Sequence, residues 1–448
     1  MIELTKEYIE HLREVIELKD ETAAVNMLQE LYPADIAELF QELDLEEAIY
    51  LYMLMDGEKA ADVLMELDEE DRRKLLKELP SELIAKRFID FMETDDAVDL
   101  MRELDEDTQE EILSHIEDVE QAGDIVDLLK YDEDTAGGLM GTEMIVVNEN
   151  WSMPKCLEEM RSQAEEMDEI YYVYVVDDDE RLRGVLPLKK MITSRSVSKI
   201  KHVMKKDPIA VKDSDSIEEV AQTIEKYDLV ALPVIDSIGR LVGRITIDDV
   251  MDEVREQHER DYQLASGISQ DVETSDNVIL QTAARLPWLL IGMIGGLGNS
   301  VLLGGFESSF AANPKMALFI PLIGGTGGNV GIQSSAIVVQ GLANNSLKQG
   351  NVWKQIVKES AVSLINASII SLVVFIYNFF MLNNRAITAS VSLSLFAVVM
   401  FASIFGTLVP MTLDRFKIDP ALATGPFISI TNDIIGMMIY MFITAALS

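Results

Sequence analysis

Among 448 residues there is one cysteine, Cys156, so the chain cannot close a disulfide with itself. Its four histidines, His11, His115, His202 and His258, lie far apart. No metal-binding histidine spacing, nucleophile elbow or complete phosphate loop accompanies them, and an enzyme is not indicated. Positive charge is scarce too. Against 78 Asp and Glu stand 37 Lys and Arg, a net charge of −41, which repels nucleic acid and excludes it as a partner. The most informative shortage is local. Residues 271–448 hold eight of the acidic and eight of the basic side chains, which leaves 70 acidic and 29 basic before them. An acidic part precedes a nearly uncharged one.

The uncharged part contains long windows without a charge: Leu286–Phe306, Met316–Leu347, Ser360–Asn384, Ala386–Leu413 and Pro420–Ser448, the last interrupted by Asp433. A membrane-spanning helix needs about 20 mostly apolar residues, so the windows predict five spans in contact with lipid. Buried helices of a soluble core would show polar faces that these lack. Flanking cations give the orientation. With the acidic part inside, the inner flanks carry Arg285, Lys348, Lys354, Lys358, Arg415 and Lys417, and the outer flanks only Lys315 and Arg385. The expectation is a multi-pass protein of the cytoplasmic membrane, N-terminus in the cytosol and C-terminus outside. Residues 1–20 alternate charged and apolar groups, unlike a cleaved signal.

Residues 1–130 carry apolar residues at helical spacing, and the phrases Glu42-Leu43-Asp44, Glu66-Leu67-Asp68, Glu78-Leu79-Pro80 and Glu103-Leu104-Asp105 recur near multiples of 12. That predicts an all-α superhelical domain. Residues 131–255 differ, with strand-like runs at Met144–Val147, Tyr171–Val176, Ile209–Val211 and Ala231–Ile235 separated by helical patterns. This segment repeats itself: Ile145 matches Ile209 at an offset of 64, and Gly184 matches Gly243 at 59. The expected architecture is therefore multi-domain: an α superhelix at 1–130, an α/β pair at 131–255, a connecting helix at 256–284, and an α-helical transmembrane domain of five spans at 285–448.

Asp433 is the residue with the most chemical content. It lies near the middle of the last window, where a charge costs about 2.5–3.5 kcal/mol unless it faces water, a cation or a partner. Mg²⁺ gives up its water reluctantly, so a pore carboxylate would hold the hydrated ion, and a two-fold dimer would supply two such groups. The Gly425-Pro426 pair predicts a break in the last helix that frees carbonyls toward the pore. The second window places Gly324, Gly325, Gly327, Gly328 and Gly331 around Asn329; its glycines suit pore lining or close helix packing, and Asn329 reads as pore lining. On the acidic side, Asp95 and Asp99 are i and i+4, and Asp249, Asp252, Glu256 and Glu259 share one helix face. Like charges at such spacings repel. The ordinary reading is a solvated acidic face; the sharper one is two stripes that bind Mg²⁺ between them and swing apart without it.

The paired units resemble cystathionine-β-synthase-type (CBS) domains through IYYVYVVDDDERLRGVLPL and LVALPVIDSIGRLVGRITIDDV. The order of helical domain, CBS pair and spans resembles the MgtE family of magnesium channels. So do YDEDTAGGLM at 131–140, GGFES at 304–308, PLIGGTGGNVGIQSS at 321–335 and DPALATGPFISITNDIIG at 419–436. The resemblance implies a homodimeric channel with Asp433 at the central magnesium position and closure by cytosolic Mg²⁺. It adds Glu218 and Asp228 to the candidate regulatory ligands Asp95, Asp99, Asp249, Asp252 and Glu256. Thr246-x-x-Asp249 resembles the ribose-contacting pattern of CBS domains, which implies ATP as a ligand, although the first repeat has Pro187 and Lys190 there. An ion-coupled carrier using the same Asp433 remains the alternative.

Overall fold

The computed structural model describes residues 4–447 apart from 165–166, 168–169, 194–197, 271, 273–276, 344–346, 348–351, 382–383 and 424. Lys348, one of the flanking cations, lies outside the described residues. The chain forms two compact units, Met1–Arg255 and Glu256–Ser448.

The first unit opens with ten short helices: α1 (Lys6–Glu17), α2 (Glu21–Gln29), α3 (Pro33–Phe40), α4 (Leu45–Leu54), α5 (Gly57–Met65), α6 (Glu69–Lys77), α7 (Ser81–Arg87), α8 (Thr94–Arg102), α9 (Glu106–Leu113) and α10 (Val119–Leu128). The residues preceding α4 to α9 are Asp44, Asp56, Asp68, Pro80, Glu93 and Asp105, about one every 12. The recurring acidic phrase thus marks helix starts. Asp44, Asp56 and Asp105 accept the N–H of the third helical residue, the preferred chemistry at that position. The buried stripe of each short helix, such as Ile36, Leu39 and Phe40 or Val63 and Leu64, joins one continuous core.

A short helix, α11 (Ala136–Leu139), leads into the two repeats. The first contains β1 (Ile145–Asn148), α12 (Met153–Gln163), β2 (Val173–Val176), β3 (Leu182–Leu186) and α13 (Leu188–Thr193), followed by β4 (Lys205–Lys206). The second contains β5 (Val211–Lys212), α14 (Ile217–Tyr227), β6 (Ala231–Ile235) and β7 (Leu241–Thr246), and runs into α15 (Ile247–Ala265). In each repeat the first two strands are parallel and the next pair antiparallel. A register shift falls at Val175/Val176 and again at Val234/Ile235, the offset of 59 seen in the sequence. The first repeat has its own core around Val147, Cys156 and Val173. The second shares the core of the helical region through Val220, Leu232 and Ile245. That shared packing brings the end of β7 and the start of α15 close to α8.

The second unit comprises the end of α15 with α16 (Val278–Gly304), α17 (Glu307–Ala312), α18 (Ile320–Ala343), α19 (Val352–Met381), α20 (Arg385–Arg415) and α21 (Gly425–Leu447). Among the described residues, α16, α19, α20 and α21 are long and apolar enough to cross a membrane. The remaining window forms α18, which is 24 residues long but diluted in hydropathy by its glycines. Those glycines allow close packing. A Cβ on Gly331 would collide with the Asn432 amide, and one on Gly406 with the Gly331 carbonyl. Gly331→Val should therefore destabilise the unit by about 1–3 kcal/mol or more, read as a lowered unfolding temperature in detergent.

Two expectations are corrected. Gly425-Pro426 does not break the last helix but starts it, Gly425 at φ +48° and Pro426 in the first turn, where proline's missing N–H costs nothing. The connecting segment is not one helix either. Alpha-15 ends at Ala265, Gly267 adopts φ +83°, and α16 begins only at Val278, because a left-handed glycine ends a helix.

Candidate metal sites

In the first unit the carboxylates of Glu93, Asp95 and Glu143 each offer an oxygen within 4.8 Å of the others. Glu93 stands just before α8, Asp95 lies in its first turn, and Glu143 follows α11. Asp95 is 8% exposed. Glu143 is fixed by Thr94, whose N–H donates to Oε1 at 2.9 Å and whose hydroxyl donates to Oε2 at 3.0 Å. Thr142 N–H in turn donates to Thr94 Oγ1 at 2.9 Å. Among the described residues one cation serves the group: Arg244 on β7, 4% exposed, whose Nη2 donates to Glu93 Oε2 at 2.6 Å and whose Nε donates to the Glu143 carbonyl. Three acids to one base leave the cluster electron-rich. Oxygen ligands, net negative charge and partial burial are what a hard divalent cation such as Mg²⁺ requires.

The electrostatics agree. Burial, then the nearby charges of Asp249, Asp96, Glu143 and Glu93, hold the Asp95 carboxyl well above the usual carboxylate range. Burial first, with Asp249 next, pushes Asp96 up to about 7. Asp249 is raised by burial, against hydrogen bonds from the Thr246 N–H and hydroxyl to its Oδ2. A carboxyl whose folded pKa is raised adds stability below its unfolded pKa, near 4, and loses it as pH rises through the folded value. In a chelator, then, the thermal unfolding temperature should fall from pH 5 to pH 8. Mg²⁺ should restore it at pH 8, and Asp96→Asn should flatten the fall.

The other sequence candidates are placed as follows. Asp99 is exposed and pairs with Arg102 at 3.2 Å. Glu218 and Asp228 are exposed at opposite ends of the 11-residue α14, about 15 Å apart along its axis, and do not join the triad. Asp252 and Glu256 are exposed on α15 and pair with Arg255 and Arg260. Thr246 is buried and bonded to Asp249, so a ribose at this pair would have to replace that bond. Sequence reasoning missed Glu93, Glu143 and Arg244. Glu93 and Asp95 are two apart and break the i, i+4 pattern, and Glu143 and Arg244 meet across 101 residues.

In the second unit Asp433 lies on α21, partly buried. Its Oδ1 faces the glycine side of α18, 3.3 Å from where a Cβ on Gly324 would stand and 3.5 Å from one on Gly328; Ser429 Oγ is 3.1 Å from the latter. The bare glycine backbone gives this carboxylate room that any side chain would fill. Asn329 is exposed on the single chain, about 100° around α18 from Gly328. Gly425 and Pro426 meet the connecting segment: a Cβ on Gly425 would strike the Ala265 carbonyl, and one on Gly267 would strike the Pro426 ring.

Comparison with known proteins follows this division. Residues 320–443 match the MgtE family, described as divalent cation transporters; 31–134 match the MgtE intracellular N domain; 136–196 and 200–256 match CBS domains. The magnesium transporter MgtE of Enterococcus faecalis is 33% identical over 72% of this chain and 71% of its own. That of Thermus thermophilus is 33% identical over 70% of each. The chain is similar to a crystal structure of the cytosolic domain of the Mg²⁺ channel MgtE in complex with ATP, with 32% identity, a TM-score of 0.52, and coverage of 55% of this chain and 99% of that one. The soluble part of a magnesium transporter matches at 30% identity and TM-score 0.51, covering 56% and 98%. With its apolar helices, helical N domain and CBS pair, this multi-pass membrane protein belongs to the MgtE family of magnesium transporters.

Proposed function

We propose that the chain is a Mg²⁺-selective channel of the cytoplasmic membrane, working as a homodimer and closed by Mg²⁺ on its cytosolic side. The observation that carries this reading is Asp433, a carboxylate set against the glycine face of α18 in a unit of nearly balanced charge. A two-fold copy would double it and hold a hydrated ion between the pair, with Gly328 and Asn329 beside the path. The orientation is N-terminus in and C-terminus out, on the balance of flanking cations.

Closure starts from the acidic cluster. At high cytosolic Mg²⁺, ions bridge Glu93, Asp95 and Glu143, with Asp99, Asp249, Asp252 and Glu256 adding attraction, while Glu218 and Asp228, at opposite ends of α14, draw ions separately. Alpha-8 and the second CBS repeat then stay together, and α15 holds Ala265 and Gly267 against the Gly425-Pro426 start of α21. At low Mg²⁺ the uncompensated carboxylates repel and release it. A ligand shifts such a balance only by binding one state better, and the closed state is the one that gathers the oxygens. ATP is a candidate second ligand at Thr246 and Asp249, as the similar cytosolic domain was solved with that nucleotide.

The test is Mg²⁺ flux into vesicles holding the full chain, with Mg²⁺ varied on the face bearing the acidic unit. Flux should fall steeply as that Mg²⁺ rises, and patches should show single-channel currents. Flux without unitary currents would identify an ion-coupled carrier.

A further inference from the structure

Just before the third charge-free window stands a carboxylate that the transport reading leaves unused. Glu359, on α19, is 8% exposed. Its Oε1 lies 2.7 Å from Ser334 Oγ on α18 and 2.6 Å from Ser403 Oγ on α20, and the two hydroxyls are 3.0 Å apart. Three helices thus each contribute one oxygen to a buried triangle. The ion pairs found among the described residues do not include Glu359.

The hydrogens do not suffice. Two hydroxyls supply one hydrogen each, so two of the three contacts can be hydrogen bonds and the third sets lone pairs against each other. More oxygen waits nearby. Ser363 Oγ, one turn along α19 from Glu359, is 1% exposed as a residue and has no hydrogen-bond partner among the described residues. An ionisable group among membrane helices, with converging lone pairs and no ion-pair partner among the described residues, calls for a positive charge. The triangle has the dimensions of one. Around a small cation with oxygens at about 2.0–2.1 Å in octahedral array, neighbouring oxygens stand about 2.9 Å apart.

The position is distinct from that of Asp433. From Gly328, beside Asp433, to Ser334 is six residues of α18, which is about 9 Å along the helix and about 120° around it. We propose that Glu359, Ser334 and Ser403 bind a small, oxygen-seeking cation, Mg²⁺ or Na⁺, at the junction of α18, α19 and α20, with Ser363 as a further donor. This cation ties the three helices together off the Asp433 face.

The experiment uses the full chain in the Asp433→Asn background, so that the other membrane carboxylate is silent. Infrared difference spectra are recorded on adding MgCl₂ or NaCl, with and without Glu359→Gln. Cytosolic carboxylates contribute equally to both chains and cancel. The expected result is a cation-induced shift of one carboxylate band that Glu359→Gln abolishes; the salt that evokes it identifies the ion. Ser403→Ala, which keeps the carboxylate and removes one oxygen, should raise the half-saturating concentration about tenfold, and it serves if the Gln variant does not fold. Two results overturn the proposal. One is an identical response in all chains. The other is a neutral carboxyl band that Glu359→Gln removes and saturating cation leaves unchanged, which places the missing hydrogen on Oε1.

Discussion

Replacing Asp433 with Asn is expected to reduce Mg²⁺ flux by at least about a hundredfold while leaving the folded chain intact. The amide has the same shape, so Gly324 and Gly328 still accommodate it; only the charge is removed. A divalent ion about 5 Å from one carboxylate, at an effective dielectric of about 20, gains several kcal/mol before desolvation. Retaining only about 3 kcal/mol of that is about a hundredfold in occupancy, and the proposed two-fold pair would lose it twice. Ser429→Ala, which removes a neutral neighbour, should cost only a fewfold. Flux measured with a Mg²⁺-sensitive dye in vesicles decides. An Asp433→Asn chain that transports at the wild-type rate would mean that ions pass elsewhere.

The second large effect concerns closure. A chain carrying Glu93→Gln, Asp95→Asn and Glu143→Gln should keep conducting at cytosolic Mg²⁺ that silences the parent. Neutralising the stripe residues Asp95, Asp99 and Asp249 should act in the same direction. The amides preserve the local scaffold: the side-chain carbonyl left by Glu143→Gln still accepts from the Thr94 N–H, and that left by Glu93→Gln still accepts from Arg244. What goes is the charge that gathers the ion. The repulsion that opens the cluster goes with it, so the variant loses its response to Mg²⁺ instead of moving its midpoint. Arg244 adds a control. Once the triad is neutral, the guanidinium is the excess charge, and adding Arg244→Gln should return stability without returning Mg²⁺ sensitivity. If currents of the triple variant close at the parental concentration, closure is driven by other groups.

Much of this was legible in the sequence because it rests on local rules. Charge-free windows require only counting, and the acidic phrase at the helix starts repeats because each start needs an acceptor. Asp433 stood out because it is the lone charge in its window. The second CBS-like repeat was legible through its offset of 59, the same offset that separates the two register shifts of the structure. Legibility ends where residues meet across the chain. Arg244 is ordinary on β7 until the shared core places it under Glu93, and Glu359 gave no signal because its partners, Ser334 and Ser403, lie on other helices. Asp99, Asp252 and Glu256 sit on the predicted faces, yet each has a local Arg, since the same helical spacing that builds a stripe also supplies i+3 and i+4 cations. Gly425-Pro426 was misread because a pair that ends one helix serves equally to begin another; only Ala265, from a distant segment, decides.

The start of α8 has a consequence of its own. Along the series, Asp44, Asp56 and Asp105 turn inward to hold the first amides of their helices, but Glu93 makes no such bond. The Thr94 amide is instead held by Glu143, 49 residues on. Undocking would therefore do two things at once: it would part the acids and leave the first turn of α8 without its acceptor. Deuterium uptake at the Thr94 amide then becomes a clock for the interface, slow while the halves touch and fast once they separate, readable without any ion crossing the membrane.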